Sequence, residues 1–303
     1  MWAITGATGF IGSHLMQELG VPTRAIDRRT LGSWTRENLR RALEGCTGVV
    51  HCAAIIHRPE TTPEEYERFN VGGTQALLDA ARDASLERVI MMGSIKVYGE
   101  APRGTINEET PILAGAPYAV TKARGEELVL RAGDLRPLVL RLCPVYGRGD
   151  KGNVRTMIRA IRRRRFFLPG DGGTRKSLVH VSTVRDAVRA GIERRDVTGV
   201  FVVADDPAPS LREIAEIIAR HLGRPRPRGI PDYVLKSVAG VVGGAARRVG
   251  VKTAISADLI EKALTPTICD PSKARRELGI ACSSDLDRTI PDEIEWLRES
   301  GAL

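Results

Sequence analysis

Tyr118 and Lys122 stand four residues apart in Pro117-Tyr118-Ala119-Val120-Thr121-Lys122. On a helix that spacing puts both side chains on one face, one turn apart. A lysine ammonium beside a phenol favours the phenolate, so the tyrosine can work as a base at neutral pH. The chain also opens on Thr5-Gly6-Ala7-Thr8-Gly9-Phe10-Ile11-Gly12, after the strand-like Trp2-Ala3-Ile4. A glycine turn between a strand and a helix lets the backbone approach phosphate closely. It also points the helix's positive end at a dinucleotide's pyrophosphate. A base for a hydroxyl proton and a cofactor that takes a hydride are the equipment for oxidising an alcohol. Tyr-x-x-x-Lys alone is a common surface pattern; the glycine turn gives it weight.

The elements that must position these residues alternate through the first half of the chain. Strand patterns at Trp2–Thr5, Thr23–Asp27, 48–54, Arg88–Met92 and Pro137–Leu142 enclose helical patterns at Gly12–Leu19, Glu37–Leu43, Val71–Ala84 and Tyr118–Ala132. That alternation predicts an α/β fold: a Rossmann-type, doubly wound parallel sheet covered on both faces. The second half is more mixed. A basic helix over Val154–Arg165 leads into a turn-rich loop, 166–173. Strands at Ser177–Val181 and Val200–Val203 flank a helix over Val184–Arg194. Ser210 and Glu213 form a capping box ahead of a helix over Leu211–Leu222. The expected organisation is a dinucleotide-binding domain over 1–147, with returning elements near 177–204. A smaller mixed substrate domain is expected from 148–176 and 205–303.

Gly6, Thr8, Gly9, Phe10, Ile11 and Gly12 are the expected cofactor contacts. Asp27 ends the second strand, where a carboxylate accepts hydrogen bonds from the adenine ribose hydroxyls and repels a 2′-phosphate, which favours NAD. Arg28 and Arg29 follow at once and keep NADP as the alternative.

With 46 Lys and Arg against 37 Asp and Glu, the net charge is +9. That balance suits an anionic partner. Arg162 to Arg165 read as a solvated helix end. Aromatic residues make up only 4% of the chain, so stacking platforms for nucleic acid are scarce and no such partner is expected. Cys46, Cys52, Cys143, Cys269 and Cys282 form no CxxC pair, and the five histidines form no ligand cluster with them. The expectation is reduced thiols, no metal and a cytoplasmic protein, since no basic leader or apolar span is read. The stretch from Ile230 to Arg248 reads first as a packed helix, with a basic element touching a membrane surface as the sharper alternative.

These motifs together resemble the extended short-chain dehydrogenase/reductase family, in particular its nucleotide-sugar epimerase branch. The glycine turn is its TGxxGxxG. His51-Cys52-Ala53-Ala54 is similar to its H-x-A-A, and Asn70-Val71-Gly72-Gly73-Thr74 to its N-x-x-G-T. Gly93-Ser94-Ile95-Lys96-Val97-Tyr98-Gly99 resembles its S-x-x-V-Y-G, which puts Ser94 in the catalytic serine place. Arg141-Leu142-Cys143-Pro144-Val145-Tyr146-Gly147 resembles a further strand end, and Asp270-Pro271-Ser272-Lys273-Ala274 the carboxy-terminal D-x-S-K-A.

The resemblance implies a catalytic trio of Ser94, Tyr118 and Lys122. Tyr118 takes the proton, Lys122 lowers its pKa and holds the nicotinamide ribose, and Ser94 orients the substrate hydroxyl. It adds Ala53, Ala54, Asn70, Tyr118, Lys122 and Pro144 to the cofactor contacts. It places Ser94, Lys96, Tyr118, Asn153, Arg175 and Lys176 on the substrate side, with the basic pair and Asn153 at a diphosphate. Homodimerisation through the helices at Val71–Ala84 and Tyr118–Ala132 is implied in the same way. The expected function is an NAD-dependent epimerase acting at C4 of a nucleotide-linked, UDP-type hexose. A 4-keto-sugar reductase and a non-catalytic dinucleotide-binding regulator are the alternatives. A 4,6-dehydratase would carry acids directly after the serine or threonine. Ile95-Lys96 stands there instead.

Overall fold

The computed structural model describes residues 1–56, 60–100, 102, 104–235, 237 and 257–303, and of Arg28, Thr30 and 257–260 the backbone alone. Most of the stretch from Ile230 to Arg248 therefore lies outside the described residues, as does the Arg28 side chain.

Six strands form one parallel sheet: β1 (Trp2–Thr5), β2 (Thr23–Ile26), β3 (Gly48–His51), β4 (Arg88–Ser94), β6 (Leu138–Leu142) and β10 (Gly199–Val203). Every residue of β1, β3 and β6 is buried, as strands must be when helices cover both faces of the sheet. The spatial order is β10-β6-β4-β3-β1-β2. β2 lies to one side of β1 and every later strand to the other, so the winding reverses between β1 and β3. A crevice opens at the carboxyl ends on either side of such a reversal. In register, Thr5 faces His51 and Ser94 faces Leu142, so the strand ends that carry the motifs share one edge.

α1 (Phe10–Glu18) and α8 (Val181–Glu193) cover one face of the sheet. α3 (Arg36–Leu43), α5 (Gly73–Asp83) and α6 (Pro117–Arg131) cover the other, α2 being the single turn Arg28–Leu31 and α4 the short Pro63–Tyr66. The helix expected from Val71 begins as a π turn over Glu67–Gly72, and only then becomes α5. Trp34 packs here: its indole N–H donates to the Gly73 carbonyl at 2.9 Å.

A third apolar cluster lies among α7 (Asn153–Arg162), α9 (Leu211–His221) and the last helix, α11 (Leu286–Glu299). Ser210 and Glu213 make the expected capping box at the start of α9. The strand expected over Ser177–Val181 shrinks to β9 (Val179–His180), which pairs with β7 (Val145–Tyr146) outside the main sheet. The turn-rich loop contains β8 (Leu168–Pro169), paired with β11 (Gly229–Ile230). β12 (Ile268–Cys269) pairs with β5 (Thr105–Ile106), and α10 covers Ala257–Leu264. The D-x-S-K-A motif ties this end back to the sheet. The Lys273 ammonium donates to the Val200 carbonyl at 2.9 Å and lies 4.5 Å from the centre of the Phe201 ring.

Candidate active site

The glycine turn is set by steric necessity. Gly6 has φ +66°, and a Cβ there would stand 2.9 Å from the Ala53 nitrogen. A Cβ on Gly12 would stand 2.2 Å from the Gly6 carbonyl oxygen. Only glycine lets α1 start this close to the end of β1. Gly9 caps α1 without any side-chain hydrogen bond, and Thr8 and Gly9 are exposed on the turn. Phe10 lies edge-on to His14, ring centres 5.5 Å apart, and Ile11 packs on the core. This is a cradle that an anionic pyrophosphate fits.

The wall beside it is held by hydrogen bonds. Thr5 Oγ1 meets His51 Nδ1 at 2.8 Å and accepts the Ala53 N–H at 3.2 Å. His51 Nε2 meets Thr74 Oγ1 at 3.1 Å. Burial pushes the His51 imidazole down to about 3, so the ring is neutral and serves as a strut. Asn70 has a similar part. Its carbonyl accepts the Ile55 N–H at 2.8 Å, and its amide donates to the Ile55 carbonyl at 3.1 Å and to Thr121 Oγ1 at 3.2 Å. These bonds position the loop after β3 against α6. Asp27 follows β2 directly and accepts the Arg29 N–H at 2.8 Å. Pro144 sits between β6 and β7, its carbonyl accepting the Val179 N–H at 3.1 Å.

Ser94, Tyr118 and Lys122 do come together. Ser94 is the last residue of β4, and Tyr118 and Lys122 share one face of α6. Burial holds the Tyr118 phenol above its ordinary range, against the neighbouring Ser94 hydroxyl, which favours the phenolate. The Tyr66 ring stands edge-on to Tyr118 at 6.4 Å. The buried Lys122 ammonium donates to the Met92 carbonyl at 2.5 Å, one helical turn from Tyr118. Burial lowers its pKa, opposed by Glu126 and Cys52.

Behind the trio lies a buried ion pair that the sequence reading missed. Glu126 is one turn beyond Lys122. One of its oxygens accepts the Ser94 N–H at 3.2 Å and the other accepts Arg141 Nε at 2.8 Å. Arg141 also donates to the Tyr98 hydroxyl at 2.7 Å. The signal was present: Tyr118, Lys122 and Glu126 recur at intervals of four, so an acid shares the catalytic face.

The substrate-side expectations divide. Lys96 donates its backbone N–H to Ser94 Oγ at 3.2 Å and pairs with Glu100 at 3.0 Å, and Lys262 meets the same carboxylate at 2.8 Å. Lys176 donates to the carbonyls of Lys262 and Thr265 at the end of α10, and its pKa is lowered by burial and by Lys96. Lys96 and Lys176 thus lie on the Ser94 side. Arg175 does not. Neighbouring residues of an extended segment point to opposite sides, and Arg175 donates to the Ala208 carbonyl at 2.9 Å. It lines a different cleft of about 700 Å³, with Tyr146, Asp205 and Arg220, that includes neither Ser94 nor Tyr118. Asn153 is exposed in the first turn of α7.

A family model, the NAD dependent epimerase/dehydratase family, matches residues 2–204. That span holds the glycine turn, Ser94, Tyr118 and Lys122. The chain belongs to this family. It is similar to the structure of MoeE5 in complex with UDP-glucose and NAD, with 30% identity, a TM-score of 0.77 and 99% of each chain covered. It is 28% identical to a 4-hydroxy-2-methyl-3-oxo-4-farnesyl-3,4-dihydroquinoline-1-oxide ketoreductase of Stigmatella aurantiaca, over 92% of this chain and 91% of that one. It is 27% identical to a UDP-glucose 4-epimerase of Vibrio cholerae, over 73% of this chain and 76% of that one. The family is NAD-dependent, and the glycine cradle fits that cofactor. Among the described residues no helix is long and apolar enough to cross a membrane.

Proposed function

We propose that this family member is an epimerase that interconverts nucleotide-linked hexoses at C4 through a transient 4-keto sugar. The observation that carries the reading is the Ser94–Tyr118 pair at the strand ends beside the glycine cradle. Gly6, Gly9 and Gly12 would hold the pyrophosphate, Asp27 the adenosine ribose, and Lys122 the nicotinamide ribose. When bound, NAD would supply the hydride acceptor. Ser94 orients the C4 hydroxyl and Tyr118 removes its proton. After the sugar turns over, Tyr118 gives the proton back to the ketone oxygen on the other face. Lys96 and Lys176 supply positive charge for a diphosphate on the same side, and residues 148–176 and 205–303 form the substrate side.

The MoeE5 structure, solved with UDP-glucose and NAD, supports a UDP-linked substrate. No acid follows Ser94, as a dehydratase would need: Ile95 is buried and Lys96 is paired with Glu100. A ketoreductase relative matched over 92% of this chain favours keto-sugar reduction as the second reading. A UDP-hexose deuterated at C4 separates them. An epimerase keeps the label at C4 of the product, whereas a reductase running backwards passes it to free NADH.

A further inference from the structure

We infer that Glu126 is a positioning residue that fixes Ser94, at the end of β4, against the helix that carries Tyr118. The inference rests on the alcohol-oxidising role proposed above for these two residues, not on which sugar carries the hydroxyl.

The geometry joins three elements through one carboxylate. Glu126 projects from α6, the helix of Tyr118 and Lys122, toward the end of β4. There it accepts the Ser94 N–H at 3.2 Å, and it accepts Arg141 Nε from β6 at 2.8 Å. The Glu126 and Arg141 side chains are 1% and 5% exposed, so the pair is shielded from solvent and from salt. Arg141 is fixed in turn by the Tyr98 hydroxyl at 2.7 Å, with the Tyr98 ring 4.9 Å from the guanidinium. Gly93 leaves the necessary room: a Cβ there would stand 2.7 Å from the Glu126 carboxylate. A strand end and a helix are thus pinned at the distance that lets the Ser94 and Tyr118 hydroxyls meet.

The same carboxylate acts electrostatically on both titrating members of the trio. Its charge disfavours the Tyr118 phenolate and favours the Lys122 ammonium. Among the described residues, the Ser94 hydroxyl and Tyr66 also act on Tyr118, and Cys52 and neutral His51 on Lys122. Removing the Glu126 charge while keeping its acceptor therefore makes the phenol more acidic.

The test is Glu126→Gln. Tyrosinate absorbance is titrated with Tyr118→Phe as the blank, in the wild-type and the Glu126→Gln background, so the reading needs no substrate. The Tyr118 midpoint is expected at lower pH in the variant. With UDP-glucose, the plateau of kcat is expected to fall roughly tenfold with KM held within about twofold, and the rise of kcat to begin at lower pH. Should the single variant fail to fold, Glu126→Gln with Arg141→Met removes both buried charges and is titrated in the same way. A kcat plateau and a Tyr118 midpoint that both stay at the wild-type values in the folded variant overturn the inference. A wild-type protein inactive on every sugar, with the midpoint still shifted, would leave the inference standing and count against the epimerase reading alone.

Discussion

Lys122 donates its ammonium to the Met92 carbonyl at 2.5 Å, a bond that ties α6 to β4 one turn from Tyr118. The half-buried phenol, meanwhile, is held above its ordinary range by burial, against the pull of Ser94. The side chains proposed for catalysis are thus assembled at one strand end.

Tyr118→Phe keeps the ring that meets Tyr66 and removes only the hydroxyl. Turnover is expected to fall by about 10²- to 10⁴-fold, the range for loss of a general base. The melting temperature is expected to stay within a few degrees of wild type. Steady-state rates and thermal unfolding check both.

Gly12→Ala would place a methyl carbon 2.2 Å from the Gly6 oxygen, against backbone that cannot step aside. The expected result is loss of NAD binding by about 100-fold or more, read by calorimetry, together with a lower melting temperature. A variant that binds NAD like wild type would refute the assignment of this turn as the pyrophosphate cradle.

Glu293 is fully buried, and among the described residues neither of its oxygens has a partner at full hydrogen-bonding geometry, the Gly147 backbone coming nearest to that part. Burial, with Asp150 adding to it, pushes its carboxyl up to about 8. The folded pKa lies above the ordinary 4.5, so the folded state binds the extra proton between those values. Stability is therefore full below about 4.5 and declines as pH rises toward 8. Glu293→Gln removes that slope and is expected to stabilise by on the order of 2 kcal/mol at pH 8.5 and by little at pH 5. Denaturant unfolding at the two pH values measures it. Asp150, also held above its ordinary value by burial, keeps a smaller slope in the variant.

The sheet and the cofactor turn were legible in sequence because their causes are local. Gly6 and Gly12 are required by contacts within a few residues or with the next strand end, and the buried strands are short apolar runs between turns. The trio was legible in part. The Tyr118–Lys122 spacing is a helical fact, while Ser94 rested on resemblance. Long-range partners were hidden. Glu126 reads as one more helix acid until folding puts Arg141 beside it. Likewise, nothing in the sequence pairs Lys122 with the Met92 carbonyl that its ammonium meets. Arg175 and Lys176 read as one basic pair, but the extended backbone sends them to opposite sides. Cys143 and Cys269, 126 positions apart, bring their sulfurs within 3.1 Å, a contact that no spacing rule reveals.

The most direct test of the central claim is to offer the purified protein UDP-glucose and related UDP-hexoses with no cofactor added, and follow the C4 configuration by NMR. The account predicts that protein retaining bound NAD(H) interconverts a C4 pair over many turnovers, with no net oxidation or reduction of cofactor. Product formed only in stoichiometric step with added NADH or NADPH would contradict it.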